Sequence, residues 1–272
     1  MRAVSLQQLE QDALEVRRAF LKMHYEAKAG HIGSGLSGLD LLVYLHGKWL
    51  LDTDHFILSK GHGASSLYAT LHHYGQISDE QFATYYRDGT LLPAHPAPRA
   101  LPSIPAATGS LGHGLPIAAG LCYANRYLHQ NALRTVCLLS DGECDEGSVW
   151  EAALFAAHHR LGNLTVIIDA NGLQGFGHTE DVMRLEPLRL KWGSFGFRTS
   201  EINGHDFSQI DAAMNEAADS RPHCIIARTI KGKGVRFMED RLEWHYLPLS
   251  DAQYEEALIG LEEPPSSRDS YP

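Results

Sequence analysis

The sequence predicts an α/β fold: a doubly wound, mostly parallel sheet with helices on both faces. Two observations carry this reading. Short apolar runs rich in β-branched residues alternate with longer stretches of helical periodicity. The short runs are also almost continuously apolar, the pattern of strands buried on both faces. A chain of 272 residues with 44% hydrophobic content closes one large core more readily than two small ones. Residues 1–261 therefore read as a single domain, and 262–272, EEPPSSRDSYP, as a loose tail.

Taken in order, residues 6–29 form an amphipathic, charged helix pattern that lacks the apolar stretch of a signal peptide. Residues 38–50 read as the next helix. Their apolar run carries Asp40, His46 and Lys48 and is too short to span a bilayer. A strand is expected at 55–59, then helices at 65–74 and 79–87. Residues 90–115, rich in Pro, Ala and Gly, read as a long ordered loop, and such loops are usually functional. A helix at 115–128, a strand at 135–140, a helix at 149–161 and a strand at 164–169 follow. The pattern closes with a strand at 197–202, a helix at 207–218, a strand at 224–230 and a helix at 251–259.

The formal net charge of −10 argues against nucleic acid or an anionic membrane as the main partner. Cys122, Cys137, Cys144 and Cys224 form no C-x-x-C pair and read as reduced thiols of a cytoplasmic protein.

In a parallel α/β sheet, ligands bind beyond the carboxyl ends of the strands. Asp141 and Gly142 follow one apolar strand, and Asn171 and Gly172 follow the next, with a helix between. The two strand ends should share a sheet edge, so a carboxylate and an amide oxygen converge there. Mg²⁺, or Ca²⁺ or Mn²⁺ in its place, takes oxygen ligands, often one or two carboxylates with phosphates and water. Asp141, the Asn171 amide oxygen and the Leu173 carbonyl supply part of such a set. Two diphosphate oxygens and a water would complete it. Gly142 lets the backbone approach a phosphate, and the helix that follows adds a favourable dipole.

These residues carry a resemblance. Enzymes dependent on thiamine diphosphate share a GDG…NN motif. This chain reads S-D-G, 27 residues, then A-N: Ser140 stands for the first Gly and Ala170 for the first Asn, with Asp141 and Asn171 intact. Five further blocks resemble the transketolase family over roughly residues 10–250. They are AKAGHIGSGLSGLDLL, DHFILSKGHGASSLYATLHHYG, LLPAHPAP, ATGSLGHGLPIAAGLCYA and TIKGKGVRFMEDRLEWHYLPLS. The resemblance implies that His31, His62, His95 and His245 line the channel above the thiazolium. There they would move protons at sugar hydroxyls, as imidazoles do near neutral pH. It implies that Gly109, Leu111 and Gly112 contact the cofactor, with His62, His113, Gly142, Glu143 and His245 also beside it. His113 replaces a common Gln and either reaches the phosphate or does nothing. Tyr246 replaces a family Gly after the last histidine and bears on the shape of the channel mouth.

Glu146 is either an acid near the interface between paired active sites or a plain N-terminal helix acid. Lys231 and Lys233 either meet phosphate or form a solvated basic loop. His72, His73, His158 and His159 sit on helix patterns and read as structural.

The resemblance also implies what is absent. The glutamate that activates the pyrimidine ring lies in a second, pyrimidine-binding domain of the family, and no second α/β set follows residue 261. The expectation is therefore the diphosphate-binding subunit of a split transketolase, working with a C-terminal transketolase-like partner in an α2β2 assembly. It would move a two-carbon ketol unit from a ketose, free or phosphorylated, to an aldose or other carbonyl acceptor. Two other readings stand beside it. One is the α-subunit of a 2-oxoacid dehydrogenase or decarboxylase, which shares the metal motif but not the histidine blocks. The other is a non-catalytic subunit that retains the fold.

Overall fold

Five strands pair in parallel in the order β1-β2-β3-β5-β4: β1 (His55–Leu58), β2 (Thr135–Ser140), β3 (Leu164–Ala170), β4 (Arg198–Asn203) and β5 (His223–Arg228). The structure is a computed structural model and describes residues 3–97 and 101–262. From 263 on, the expected tail lies outside the described residues, as does the stretch 98–100 of the long loop.

The alternation of side chains explains why the inner strands are apolar throughout. Phe56, Leu58, Val136, Leu138, Ile167, Ile225 and Ala227 face one core. Ile57, Cys137, Leu139, Val166, Ile168, Cys224 and Ile226 face the other. The first core is covered by α1 (Leu6–Ala27), α2 (Ile32–Ser37), α3 (Leu39–Tyr44), α4 (Ala64–His73), the single turn α5 (Asp79–Phe82), and two helices from later in the chain. The second is covered by α6 (Gly114–Tyr123), α7 (Gly147–His158) and, after the short α8 (Thr179–Val182), α9 (Leu188–Ser194). The two later helices on the first face are α10 (Phe207–Met214) and α11 (Asp251–Gly260). Helices on both faces of a parallel sheet make the doubly wound fold that the sequence predicts. Edge strand β4 differs: its residues are only partly buried or exposed.

The N-terminal helix begins where Ser5 accepts a hydrogen bond from the Gln8 amide (3.1 Å), a side-chain cap. Several expected boundaries shift. The helix expected over 38–50 is α3 followed by a π turn, Leu45–Trp49, and α2 precedes it through a Gly-rich stretch with no helical pattern. The helix expected over 115–128 likewise ends in a π turn, Ala124–Leu128. The helix expected over 79–87 is shorter, α5, while α8 and α9 add to the expected set. Strand β5 stops at Arg228, so Thr229 and Ile230 leave the sheet. Among the described residues no helix is long and apolar enough to cross a membrane.

Candidate active site

Because all strands run the same way, their carboxyl ends share one edge. Four of the five bring chemistry to it. β1 is followed by Lys60 and His62, β2 by Asp141 and Gly142, β3 ends on Asp169 and Ala170 before Asn171, and β5 leads to Thr229 and Lys231.

At this edge Asp141 is buried. One carboxylate oxygen accepts the Gly142 amide (2.8 Å); the other accepts the Gly172 amide (2.7 Å) and the Thr179 hydroxyl (3.2 Å). Burial, with the Asp169 charge, raises its pKa. The Asn171 carboxamide oxygen accepts the Leu173 amide (3.1 Å), and its nitrogen donates to Ser37 Oγ (3.3 Å). The Leu173 carbonyl accepts from Lys231 Nζ at 3.1 Å. Asp141 thus meets, through the Gly172 amide, the turn that carries the other two residues of the expected set, Asn171 and Leu173.

Beneath it lies an ion network that the sequence patterns do not single out. Lys60 Nζ pairs with Asp169 and also donates to the Ser34 carbonyl (2.8 Å). Ser37 Oγ (2.6 Å) and the Thr229 hydroxyl donate to the same carboxylate. Burial raises the Asp169 carboxyl, but Lys60 and these donors outweigh it and hold the group below the usual range. Gly38 makes room here: a Cβ on it would stand 3.2 Å from Asp169 Oδ2. Signals for both residues exist in the chain. Lys60 directly precedes the Gly-His pair after β1, and Asp169 is an acid closing an otherwise apolar inner strand.

Lys231 is fully buried, so the solvated-loop alternative does not hold for it. Burial and Lys60 lower its pKa to about 8. Its flanks are fixed by a second network. Arg17 and Asp40 form a buried ion pair (2.6 Å), and His205 Nδ1 lies 2.7 Å from the same carboxylate oxygen. The Ile230 amide donates to His205 Nε2 (2.9 Å), so the ring proton sits on Nδ1 and points to Asp40. Arg17 Nε donates to the Lys233 carbonyl at 3.4 Å. One network therefore holds the chain on both sides of Lys231.

The four expected histidines gather. His31 lies 5.7 Å from His62, 6.3 Å from His95 and 5.0 Å from His245, ring centre to ring centre, and His62 lies 5.9 Å from His245. His31 caps α2 in the left-handed region (φ 65°), a conformation non-glycine residues hold only where the surroundings fix it. Its amide is held by the His245 carbonyl at 3.1 Å. Burial lowers the pKa of all four, helped by Lys60 at His62 and by Lys231 at His245, which falls to about 3. The rings are neutral near pH 7, so each offers one donor and one acceptor nitrogen. Lys231 Nζ lies 3.1 Å from His245 Nδ1; the ammonium donates, and the ring proton sits on Nε2.

Comparison with known proteins decides the family. The domain described as transketolase, thiamine diphosphate binding domain, matches residues 18–264. The chain is 38% identical to one subunit of the apulose-4-phosphate transketolase of Actinobacillus succinogenes, over 96% of this chain and 97% of that one. It is 36% identical to the 6-deoxy-6-sulfo-D-fructose transketolase subunit SqwG of Clostridium sp. (strain MSTE9), over 93% and 96%. Transketolase from Leishmania mexicana superposes with a TM-score of 0.88 at 26% identity, covering 100% of this chain and 43% of that one. The chain belongs to the transketolase family. Membership favours ketol transfer over the 2-oxoacid alternative.

A transketolase site must hold thiamine diphosphate, and the residues here fit it. An ammonium already seated on the Leu173 carbonyl marks that oxygen as one that receives a cation. Buried Lys231 offers positive charge for a diphosphate, whereas the charge of Lys60 is taken up by Asp169. At Gly142 a Cβ would stand 3.2 Å from the Gln174 side chain, so the bare backbone keeps the turn open. Gly109 lies against His95: a Cβ there would be 3.5 Å from the ring. Gly112 (φ 77°) follows Leu111, which is exposed; His113, also exposed, begins α6.

Glu143, expected at the cofactor, is fully buried with its carboxylate turned into the protein. One oxygen accepts Ser59 Oγ (2.6 Å) and the Gly112 amide (3.0 Å), the other the Ser140 amide (2.9 Å). It braces the 109–112 loop against β1 and β2. Ser140, where the general motif has Gly, thereby closes a capping box with Glu143. Glu146 occupies the N-cap position of α7 without a side-chain capping bond, on the exposed surface beside Gly112, where a Cβ would meet the Glu146 Cβ at 2.7 Å. His72 instead pairs with Asp79 (2.7 Å), His73 approaches Asp12 (3.4 Å), and His158 and His159 pack together near Tyr123.

Proposed function

We propose that this chain is the diphosphate-binding subunit of a two-subunit transketolase. It would transfer a two-carbon ketol unit from a ketose or ketose phosphate to an aldose or other carbonyl acceptor. The observation that carries the reading is the gathering of four neutral histidines beside the Asp141–Asn171–Leu173 edge. A 2-oxoacid enzyme has no need of several donors and acceptors for sugar hydroxyls; a ketol transferase has. Relatives that match over nearly their whole length are themselves named as subunits, which supports a partner chain. The partner would be a C-terminal transketolase-like subunit carrying the pyrimidine-binding domain, in an α2β2 assembly. Residues 1–261 would act as one unit within it. Four free, buried cysteines fit a reducing cytoplasm.

Thiamine diphosphate, when bound, supplies the nucleophilic carbon for carbon–carbon cleavage and formation. The chain's own residues bind, orient and shuttle protons. Asp141, Asn171 and the Leu173 carbonyl would hold Mg²⁺, or Ca²⁺ or Mn²⁺. Lys231 and the Gly142 backbone would meet the diphosphate, with Gly109, Leu111, Gly112 and His113 closing over it. Glu143 would set the position of that loop without touching the cofactor. His31, His62, His95 and His245 would give and take protons at substrate hydroxyls and the carbonyl oxygen, the His245 Nε2–H being one defined donor. Glu146 would face the partner subunit near the paired site.

The test is reconstitution. The chain is mixed with a C-terminal transketolase-like subunit from the same organism, thiamine diphosphate and Mg²⁺, and transfer from a ketose phosphate to an aldose phosphate is followed. Turnover should require every component, and Asp141→Ala should lower it by about a hundredfold or more while weakening cofactor binding by calorimetry. A stable, cofactor-loaded complex with no turnover on ketoses would overturn the proposal.

A further inference from the structure

The segment Leu242–His245 ends on Tyr246, and this side chain does something the histidines do not. Its hydroxyl donates to the Gly175 carbonyl at 2.7 Å. Gly175 belongs to a tight hairpin after β3, in which Leu173 bridges His178 and the Gln174 amide donates to the Gly177 carbonyl (2.9 Å). Tyr246 thus ties two separate segments that both carry site residues: one presents the Leu173 carbonyl, the other His245. The Tyr246 ring lies 4.7 Å from the His245 ring, yet it is 57% exposed while His245 is only partly so. It therefore stands on the solvent side of His245. Its backbone is wedged against Gly30, where a Cβ would meet the Tyr246 carbonyl at 2.7 Å, and Gly30 leads directly to His31. The ring is fixed at both ends, by the backbone on Gly30 and by the hydroxyl on Gly175.

A bulky ring held just outside a cluster of proton-transfer groups limits what can extend outward from them. A short carbonyl compound held at the histidines has little tail to meet the ring. A longer polyol held there and extending towards solvent beside His245 would meet it. A glycine at this position, as in the transketolase pattern, would leave that space open.

We infer that Tyr246 is a specificity-determining residue that walls the channel mouth beside His245 and selects short acceptor aldehydes over long aldose phosphates. The inference rests on the ketol-transfer reading. It concerns the ring, with the hydroxyl serving to hold it.

The experiment uses the reconstituted two-subunit complex with hydroxypyruvate as a donor that has no long tail. kcat/KM is measured for glyceraldehyde 3-phosphate and for ribose 5-phosphate. Tyr246→Gly should raise the ribose-to-glyceraldehyde ratio by about tenfold, the scale on which a hydrophobic wall discriminates size. Tyr246→Leu should move the ratio the same way by less, Tyr246→Phe should leave it near wild type, and Tyr246→Trp should lower it. If wild type turns over but the ratio is the same in all variants, the inference fails and the function stands. If Phe shifts the ratio as far as Gly does, the tether and not the ring sets selection, and the inference fails again. A wild-type complex inactive on both acceptors would defeat the ketol-transfer reading and this inference with it.

Discussion

At Lys60 the chain buries an ammonium group against the Asp169 carboxylate, with hydroxyls from Ser37 and Thr229 and the Ser34 carbonyl filling the remaining hydrogen-bonding capacity. Such a pair adds little net stability, because desolvation offsets attraction, but removing one partner strands the other charge. Lys60→Met should therefore destabilise the fold by about 3–5 kcal/mol, read as a shift in the urea midpoint. The double variant Lys60→Met, Asp169→Leu should recover much of that loss. Simple additivity of the two single losses would show that they do not act as a pair. At this scale the sequence is partly legible. His31, His62, His95 and His245 stand out because each falls in a separate block that resembles the transketolase family, and His31 and His62 also sit beside glycines. Lys60 and Asp169 do not, because a charged residue's burial depends on which partner the fold places beside it. Glu143 reads as a cofactor contact in sequence for a related reason. Its position beside Asp141 is evident, but the direction of its carboxylate depends on where Ser59 and Gly112 arrive from elsewhere in the chain.

Among the elements, the connection leaving β5 shows how a loop is made accurate. Its first residue, Thr229, still donates its amide to the Ala170 carbonyl of β3 (3.3 Å), but Lys231 must be presented two residues farther on. The Arg17–Asp40–His205 network, drawn from α1, α3 and the β4–α10 turn, holds the Ile230 amide and the Lys233 carbonyl on either side. His205→Phe removes the acceptor for a backbone amide and the donor to Asp40. It should cost about 1–3 kcal/mol in stability and weaken thiamine diphosphate binding to the reconstituted complex. His205→Gln, which can still accept from Ile230, should restore part of the affinity. Lost stability with unchanged affinity would show that the network supports the core but not the loop. The helix expected over 38–50 illustrates a limit of periodicity. Its apolar residues are right, but the segment closes in a π turn, Leu45–Trp49, and Gly38 lies so close to Asp169 that a Cβ would stand 3.2 Å from Oδ2; helical period carries no record of either.

For the molecule as a whole, buried neutral histidines set the response to acid. His24 donates through Nδ1 to the Ala29 carbonyl (3.2 Å) and accepts Ser65 Oγ at Nε2 (2.8 Å), and burial lowers its pKa to about 4. His223 falls to about 4 and His245 to about 3, again chiefly through burial. Between the ordinary histidine value and these, the unfolded chain binds more protons than the folded one. Stability is then full above about pH 6.5 and falls on acidification towards about pH 4. His24 alone accounts for roughly 3 kcal/mol of that fall. Asp141 and Glu143, whose carboxyls are raised, act in the opposite sense, so the test compares slopes. Urea midpoints measured from pH 7.5 to pH 5 should fall less steeply in His24→Gln than in wild type. Equal slopes would remove His24 from the account.

The sequence by itself determined the doubly wound parallel sheet, the order of its strands and the turns that carry Asp141 and Asn171. These follow from local rules: hydrophobic period, strand length and glycine at turns. It also carried the blocks that mark the family, and through them the four histidines. Only the tertiary structure decided that Lys60, Asp169 and Lys231 are buried together under the site, that Glu143 braces a loop, and that Tyr246 straps the hairpin after β3 to the segment carrying His245. Each of these depends on contacts between residues distant in the chain. Burial and charge pairing are properties of that assembled geometry, and no local stretch of sequence contains them.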